Sequence, residues 1–137
     1  MRTLGSGGPF FEQPWDETYE FLRGMADEHP KFEHMVAVAE SVIRTESTEL
    51  LAGTLSMHDI LVLPRPLTGP PYEVIAVRSP SSLRKPAPGT VRIEHLSLSG
   101  RDEVIDRPVA DAVRLFWRFV WEKFGVRPAS GVPGGGD

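Results

Sequence analysis

Two dipeptides in this sequence pair an imidazole with a carboxylate, His58–Asp59 and Glu94–His95. Each lies in a stretch that reads as a β-strand. If those strands are neighbours, imidazoles and carboxylates meet on the sheet, which is the composition of a general acid/base site. A small hydrolase or ligand-binding enzyme would use His58, Asp59, Glu94 and His95 in that way. The competing reading makes the four into strand polars turned to solvent, with no site in common. No nucleophile motif accompanies them. There is no GxSxG elbow, so Ser97 and Ser99 read as ordinary strand residues. His29 and His34 are five apart, which does not put them on one helical face, and no HExxH occurs. The glycines of residues 5–9, GSGGP, lack the lysine and the strand-to-helix setting of a phosphate-cradling loop. The sequence calls for no metal and no cofactor.

A second set of residues has the chemistry of recognition. Residues 106–125, DRPVADAVRLFWRFVWEKFG, read as one long closing helix. Asp106 is placed to cap it, Pro108 suits its first turn, and Gly125 suits the position past its end. At 100° per residue, Val109, Ala112, Val113, Phe116, Val120 and Phe124 share one face. Trp117 and Trp121 widen that apolar arc on one side, next to Arg114 and Arg118. Trp and Arg are the types most enriched at binding hot spots. Of the two tryptophans, Trp121 is further from the arc's centre and is expected at the surface.

The elements that must position these residues follow from periodicity. Residues 14–28 form a first helix with an apolar stripe of Trp15, Tyr19, Leu22 and Ala26. Its other face is acidic, with Asp16, Glu17 and Glu20. Residues 30–44 form a second helix, with Phe32, Met35, Val36, Ala39, Val42 and Ile43 inward. Residues 45–56, TESTELLAGTLS, carry signals for both a short helix and an edge strand. Strands follow at 58–63, 72–78 and 91–98, and the first two are too uniformly apolar for one face to be wet. In the last, Val91 and Ile93 have one parity while Leu96 and Leu98 have the other. Either both faces are covered or a bulge sits near Glu94–His95. DEVID, residues 102–106, is a candidate for one more short strand.

Strands joined by loops without helices form an antiparallel meander. The fold expected is α+β: a small antiparallel sheet of three or four strands, covered by two N-terminal helices and one long C-terminal helix. A single domain spans 10–127, between a flexible arm at 1–9 and a disordered tail at 128–137.

Composition limits the function classes. The chain of 137 residues has no cysteine, which removes thiol nucleophiles and thiolate zinc sites. Its net charge of −4 argues against nucleic-acid binding. No apolar run approaches the ~18 residues of a membrane span, and no secretory signal opens the sequence, so a cytoplasmic location is expected. Twelve arginines against three lysines suggest a GC-rich bacterial coding sequence. Charge is unevenly placed: residues 12–49 carry −7 and residues 50–137 carry +2. The reading that results is a non-enzymatic interaction module, such as an adaptor, chaperone or inhibitor. It would bind another protein, a basic one or a second copy of itself, through the Trp117/Trp121 helix margin or the acidic helical face.

Overall fold

The computed structural model describes residues 10–131. Helix α1 (Trp15–Glu28) is followed by a 3-10 turn (Pro30–Phe32) and α2 (Glu33–Arg44). Five strands come next: β1 (Leu51–Ser56), β2 (Asp59–Pro64), β3 (Val74–Arg78), β4 (Thr90–Leu96) and β5 (Glu103–Pro108). They pair antiparallel in chain order as one meander. The last helix, α3 (Ala112–Phe119), is entered through a 3-10 turn and runs on into a wider π turn over Val120–Phe124. Gly125 closes it in the left-handed region at φ 69°.

The helices cover one face of the sheet. α1 lies over β1, α3 lies over β4 and β5, and α2 packs between them. Alternate strand residues face this layer: Leu51 on β1, Ile60 and Val62 on β2, Ile75 and Val77 on β3, Val91 and Ile93 on β4. All are fully buried with Leu22, Phe32, Met35, Phe116 and Phe119. The second face is covered in two parts. At one end Leu61, Leu63, Val74 and Ala76 pack beneath Phe10, Tyr72 and Leu96. At the other end the β3–β4 loop folds back over a cluster of charges.

The architecture is α+β as the patterns imply, with five strands where three or four were expected. The ambiguous residues 45–56 split into a turn and β1. Their serines and threonines bond locally: Thr45 Oγ1 donates to Ser41 O at 2.7 Å, and Ser47 N to Val42 O at 2.9 Å. DEVID does form a strand, and that strand extends to Pro108, so the closing helix starts later than its sequence suggests. Asp106 caps nothing. It pairs across the sheet with Arg92, which stands opposite it on β4. No bulge occurs at Glu94–His95, since β4 stays in continuous register with both neighbours. The phase change in its sequence reflects two covered faces.

Beyond Gly125 the chain stays on the body. Val126 packs against the core, Ala129 N donates to Ser47 Oγ at 3.0 Å, and Ser130 N donates to Thr45 O at 2.8 Å. Residues 128–131, expected as disordered tail, are therefore partly held. The expected N-terminal arm, 1–9, and residues 132–137 lie outside the described residues.

One close approach fixes where α1 sits. Trp15 is buried and its Nε1 donates to Leu51 O at 2.8 Å. The indole packs against β1 at Gly53, where an added Cβ would stand 2.6 Å from Trp15 Cζ2 and 2.8 Å from Cη2. Gly53→Ala should therefore displace an indole that its own hydrogen bond holds, at a cost of ~1–3 kcal/mol. Urea unfolding measures it. A loss under about 0.5 kcal/mol would show that Trp15 shifts without resistance.

Candidate functional site

Arg78 is the centre of the charged cluster on the second face of the sheet. Its Nη1 reaches Asp59 Oδ2 at 3.0 Å and its Nε reaches Glu94 Oε2 at 3.0 Å. All three are buried, Glu94 to 1% exposure. Desolvation opposes the charge on Arg78, but hydrogen bonds to Glu94 and Asp59 outweigh it and keep the guanidinium above its ordinary pKa. Asp59 also accepts from Ser79 N and Ser82 Oγ, each at 2.8 Å. Glu94 takes a second cation, Arg84, at 3.2 Å. Arg92 turns to Asp106 and also donates to Arg84 O at 3.0 Å. The loop after β3 is thus tied down at Ser79, Ser82 and Arg84.

This arrangement brings Asp59 and Glu94 together, but through Arg78. Their oxygens accept from protein donors and are not turned toward an open substrate site. The two histidines lie elsewhere. His58 is in the turn between β1 and β2, where its Nδ1 is 2.8 Å from Ser81 Oγ. His95 is on the helix-covered face, opposite in parity to Glu94, with Nε2 2.6 Å from Glu73 Oε1. Glu73 in turn accepts from Leu98 N at 3.0 Å, closing that end of the sheet. His58, Asp59, Glu94 and His95 do not surround one pocket. Among the described residues no group of three or more metal-binding side chains is clustered.

The closing helix also divides its candidates. Trp117 is core: it is 5% exposed, stacks edge-on with Phe116, and its Nε1 donates to Ser41 Oγ of α2 at 2.9 Å. It cannot serve as a contact residue, because α3 presses that side onto α2. Trp121 is 46% exposed, with the Arg127 guanidinium 3.9 Å from its ring centroid. Arg114 and Arg118 point to solvent and pair along the helix with Asp111 and Glu122. This margin is exposed, and its charges are largely answered locally.

The other expected surface is the outer face of α1. Asp16, Glu17 and Glu20 are exposed, and none has an ion-pair partner among the described residues. Beside them lies a feature the sequence reading missed. The β1–β2 hairpin turns on two residues, Met57 and His58, between the paired Ser56 and Asp59. Both hold positive φ, 51° and 74°. A two-residue turn of this kind favours Asn-Gly, and β-carbon-bearing residues there are strained. What holds the strain is visible. His58 stacks on Phe21 at 5.7 Å and stands edge-on to Phe32 at 6.0 Å. Met57 projects outward, 49% exposed, and Phe21 is 45% exposed. A shallow groove of about 570 Å³ runs here, lined by Glu12, Glu17, Phe21, Thr54, Met57 and His58. Glu12 is paired with Arg65. The signal available in the sequence was SMHD between two apolar runs, but with no glycine or asparagine it does not read as a turn.

Comparison with family models, with curated proteins and with solved structures finds no match to this chain.

Two measurements check the electrostatics. Arg78→Met leaves buried Asp59 without a cation and Glu94 with only the exposed Arg84, and should cost ~3–5 kcal/mol, read by urea unfolding. A loss under about 1 kcal/mol would mean that water or Arg84 replaces the guanidinium. The second concerns His34, buried on α2, whose pKa desolvation lowers to about 4. The unfolded chain takes up that proton near 6.5, so stability is full above that pH and falls as pH drops toward 4. The loss should reach roughly 3 kcal/mol. His34→Leu should lack that segment of the stability–pH curve. Superimposable curves for the two proteins would refute it.

Proposed function

We propose that this chain is a non-enzymatic interaction module that takes a basic segment of another protein on the α1 face and the β1–β2 turn. The observation that carries this reading is the pairing of unanswered acids with exposed apolar side chains. Glu17 lines the groove with Phe21 and Met57, Asp16 and Glu20 flank it along α1, and Met57 is presented by a turn whose backbone is strained. Apolar anchors rimmed by charge are the anatomy of a protein interface. Strained backbone of this kind clusters at binding and switch sites. Acids without cations raise the local potential and speed encounter with a basic partner. An inhibitor or adaptor that meets a basic protein has this chemistry.

The test is affinity capture from the source cells with three versions of the chain, read by quantitative mass spectrometry. A true partner should be enriched by the wild type. It should be lost by about tenfold or more with Phe21→Ala/Met57→Ser and with Glu17→Lys/Glu20→Lys. It should be retained by Trp121→Ala. If nothing is enriched over the double variants, or if only Trp121→Ala abolishes capture, the reading fails. A further variant separates binding from folding. Met57→Asn/His58→Gly relieves the positive-φ strain and should stabilise the fold by up to ~1 kcal/mol while binding weakens. Unchanged affinity would show that the turn plays no part in recognition.

A further inference from the structure

The open edge of the sheet carries a pattern that complements itself. β5 ends the strand order, and no described strand pairs with its outer side. Val109 N donates to Gly89 O at 3.0 Å, one step beyond the pairing of Thr90 with Pro108. In an antiparallel ladder hydrogen-bonded and non-hydrogen-bonded pairs alternate. Glu103, Ile105 and Arg107 therefore turn their N–H and C=O groups to β4, while Val104 and Asp106 turn theirs to the open edge. Pro108, which has no N–H to offer, also falls on the outward side. We propose that β5 pairs antiparallel with β5 of a second copy of this chain, centred on Ile105, and so joins two sheets in a symmetric dimer.

Backbone parity and charge select this register. Outward residues must stand opposite outward residues, a condition met by pairings centred on Val104, Ile105 or Asp106. Centring on Val104 sets Arg107 against Arg101 and Ile105 against Glu103. Centring on Asp106 sets that carboxylate against its own copy, and gives Val104 a proline partner that donates nothing. Centring on Ile105 avoids both conflicts. Val104 and Asp106 then exchange both backbone hydrogen bonds on either side of the axis. Ile105 meets Ile105, and Glu103 meets Arg107 twice, all in non-hydrogen-bonded pairs, where side chains stand closest. These residues share the helix-covered face, since Ile105 stands opposite Ile93 and packs against the core. Arg107 is exposed and has no carboxylate partner among the described residues. Its Nη1 donates to Asp106 O at 2.9 Å, the place that the Val104 N–H of a second copy would take. Glu103 Oε1 accepts from Lys123 at 2.5 Å, and a carboxylate has room for a second donor. The contact also covers part of Val104, which is 46% exposed. A two-fold axis at Ile105 closes the assembly after one pairing, so the edge is not left open to further growth. Charges that deter other strands specify this one.

The proposal is independent of the protein-binding face on α1. It is tested on the full chain by sedimentation equilibrium over about 1–500 μM. A reversible monomer–dimer equilibrium with Kd of order 10 μM is expected. Val104→Pro removes an outward N–H and should weaken the dimer by about tenfold or more. Its melting temperature in dilute solution should match the wild type, because proline is tolerated where the N–H faces off the edge. Arg107→Glu and Glu103→Arg each set like charges opposite one another and should each lose about tenfold. Mixed together they should form a heterodimer, since every cross-strand pair is then opposite in sign. In a chain without cysteine, Ile105→Cys should give a disulfide-linked dimer on mild oxidation, because close-pair Cα atoms about 4.5 Å apart lie within bridging range. A chain that stays monomeric throughout overturns the proposal. So does a dimer that survives both Val104→Pro and Arg107→Glu. If Val104→Pro does not fold, the charge variants decide alone. Failure of the mixed variants to associate, or of folded Ile105→Cys to link, overturns the register.

Discussion

The Arg78 guanidinium, shut between Asp59 and Glu94, is the constraint on which the sheet depends. Arg78 stands opposite Arg92 on β4, a pairing of like charges that would repel. It is resolved because each arginine takes its own carboxylate: Arg78 turns toward Asp59 and Glu94, and Arg92 toward Asp106. Four of the five strands are tied by these contacts. A slip of β3 by one residue would turn Arg78 to the helix-covered face, among Ile60, Ile93 and Phe116, and turn Ile75 and Val77 away from it. A buried ion pair is not reliably stabilising by itself, since desolvation consumes most of the Coulombic gain. Its effect here is on register: only one alignment of β2, β3 and β4 leaves every charge answered. The same cluster holds the β3–β4 loop through Ser79, Ser82 and Arg84.

The fold also explains where the unsatisfied features can lie. Sheet edges are an aggregation hazard. β5 carries Glu103, Asp106 and Arg107 and ends at Pro108. β1 is shielded by α1 and by a bridge from Gln13 N to Gly53 O at 2.9 Å. The corner between β1 and β2 is different. There Trp15 presses on Gly53, and Phe21 and Phe32 bracket His58. These contacts give the packing force that keeps Met57 and His58 in a backbone region they would otherwise leave. The apolar side chains that result, Met57 and Phe21, are left on the outside.

Much of this was legible in the sequence, and the exceptions have physical causes. The apolar stripes of α1 and α2 located both helices, α1 to within a residue and α2 three residues early because Pro30–Phe32 forms a 3-10 turn, since each buries one face against a continuous core. The apolar runs of β2 and β3 read as strands covered on both faces, while TVRIEHL of β4 left two covered faces and a bulge equally open, and its continuous register excludes the bulge. β1 was ambiguous because LAGTLS has a glycine and two polar residues, and its strand character comes from pairing with β2. Asp106 imitated a helix cap because an acid before a proline looks alike in a strand and at a helix start. The candidate site was less legible. Adjacent strand residues point to opposite faces, so Glu94 and His95 were always going to part, and only an undetected bulge would have joined them. Arg78 was the missing member. It ended a strand and drew no notice, since nothing local shows that a strand-end arginine will be covered by a loop. Trp117 and Trp121 differ by one turn in sequence, but α2 covers one and not the other.

The placement of charge bears on what kind of partner the molecule would take. The acids of α1 lie at one margin of the helical layer and the arginines of α3 at the other, with α2 between. Contact between the acidic face of one copy and the arginine face of the next would be head-to-tail. Such a contact leaves one face of each kind open and propagates unless a rotation happens to close it. The arginine margin is also poorly suited to the task, because Arg114 and Arg118 already have Asp111 and Glu122, and Arg127 covers Trp121. Among the described residues Asp16, Glu17 and Glu20 have no such local answer. An acidic face whose complement is weak on the same molecule is better matched by a basic surface on a different one. The proposed reading therefore assigns the α1 margin with its strained turn to a different protein in preference to a second copy of this chain.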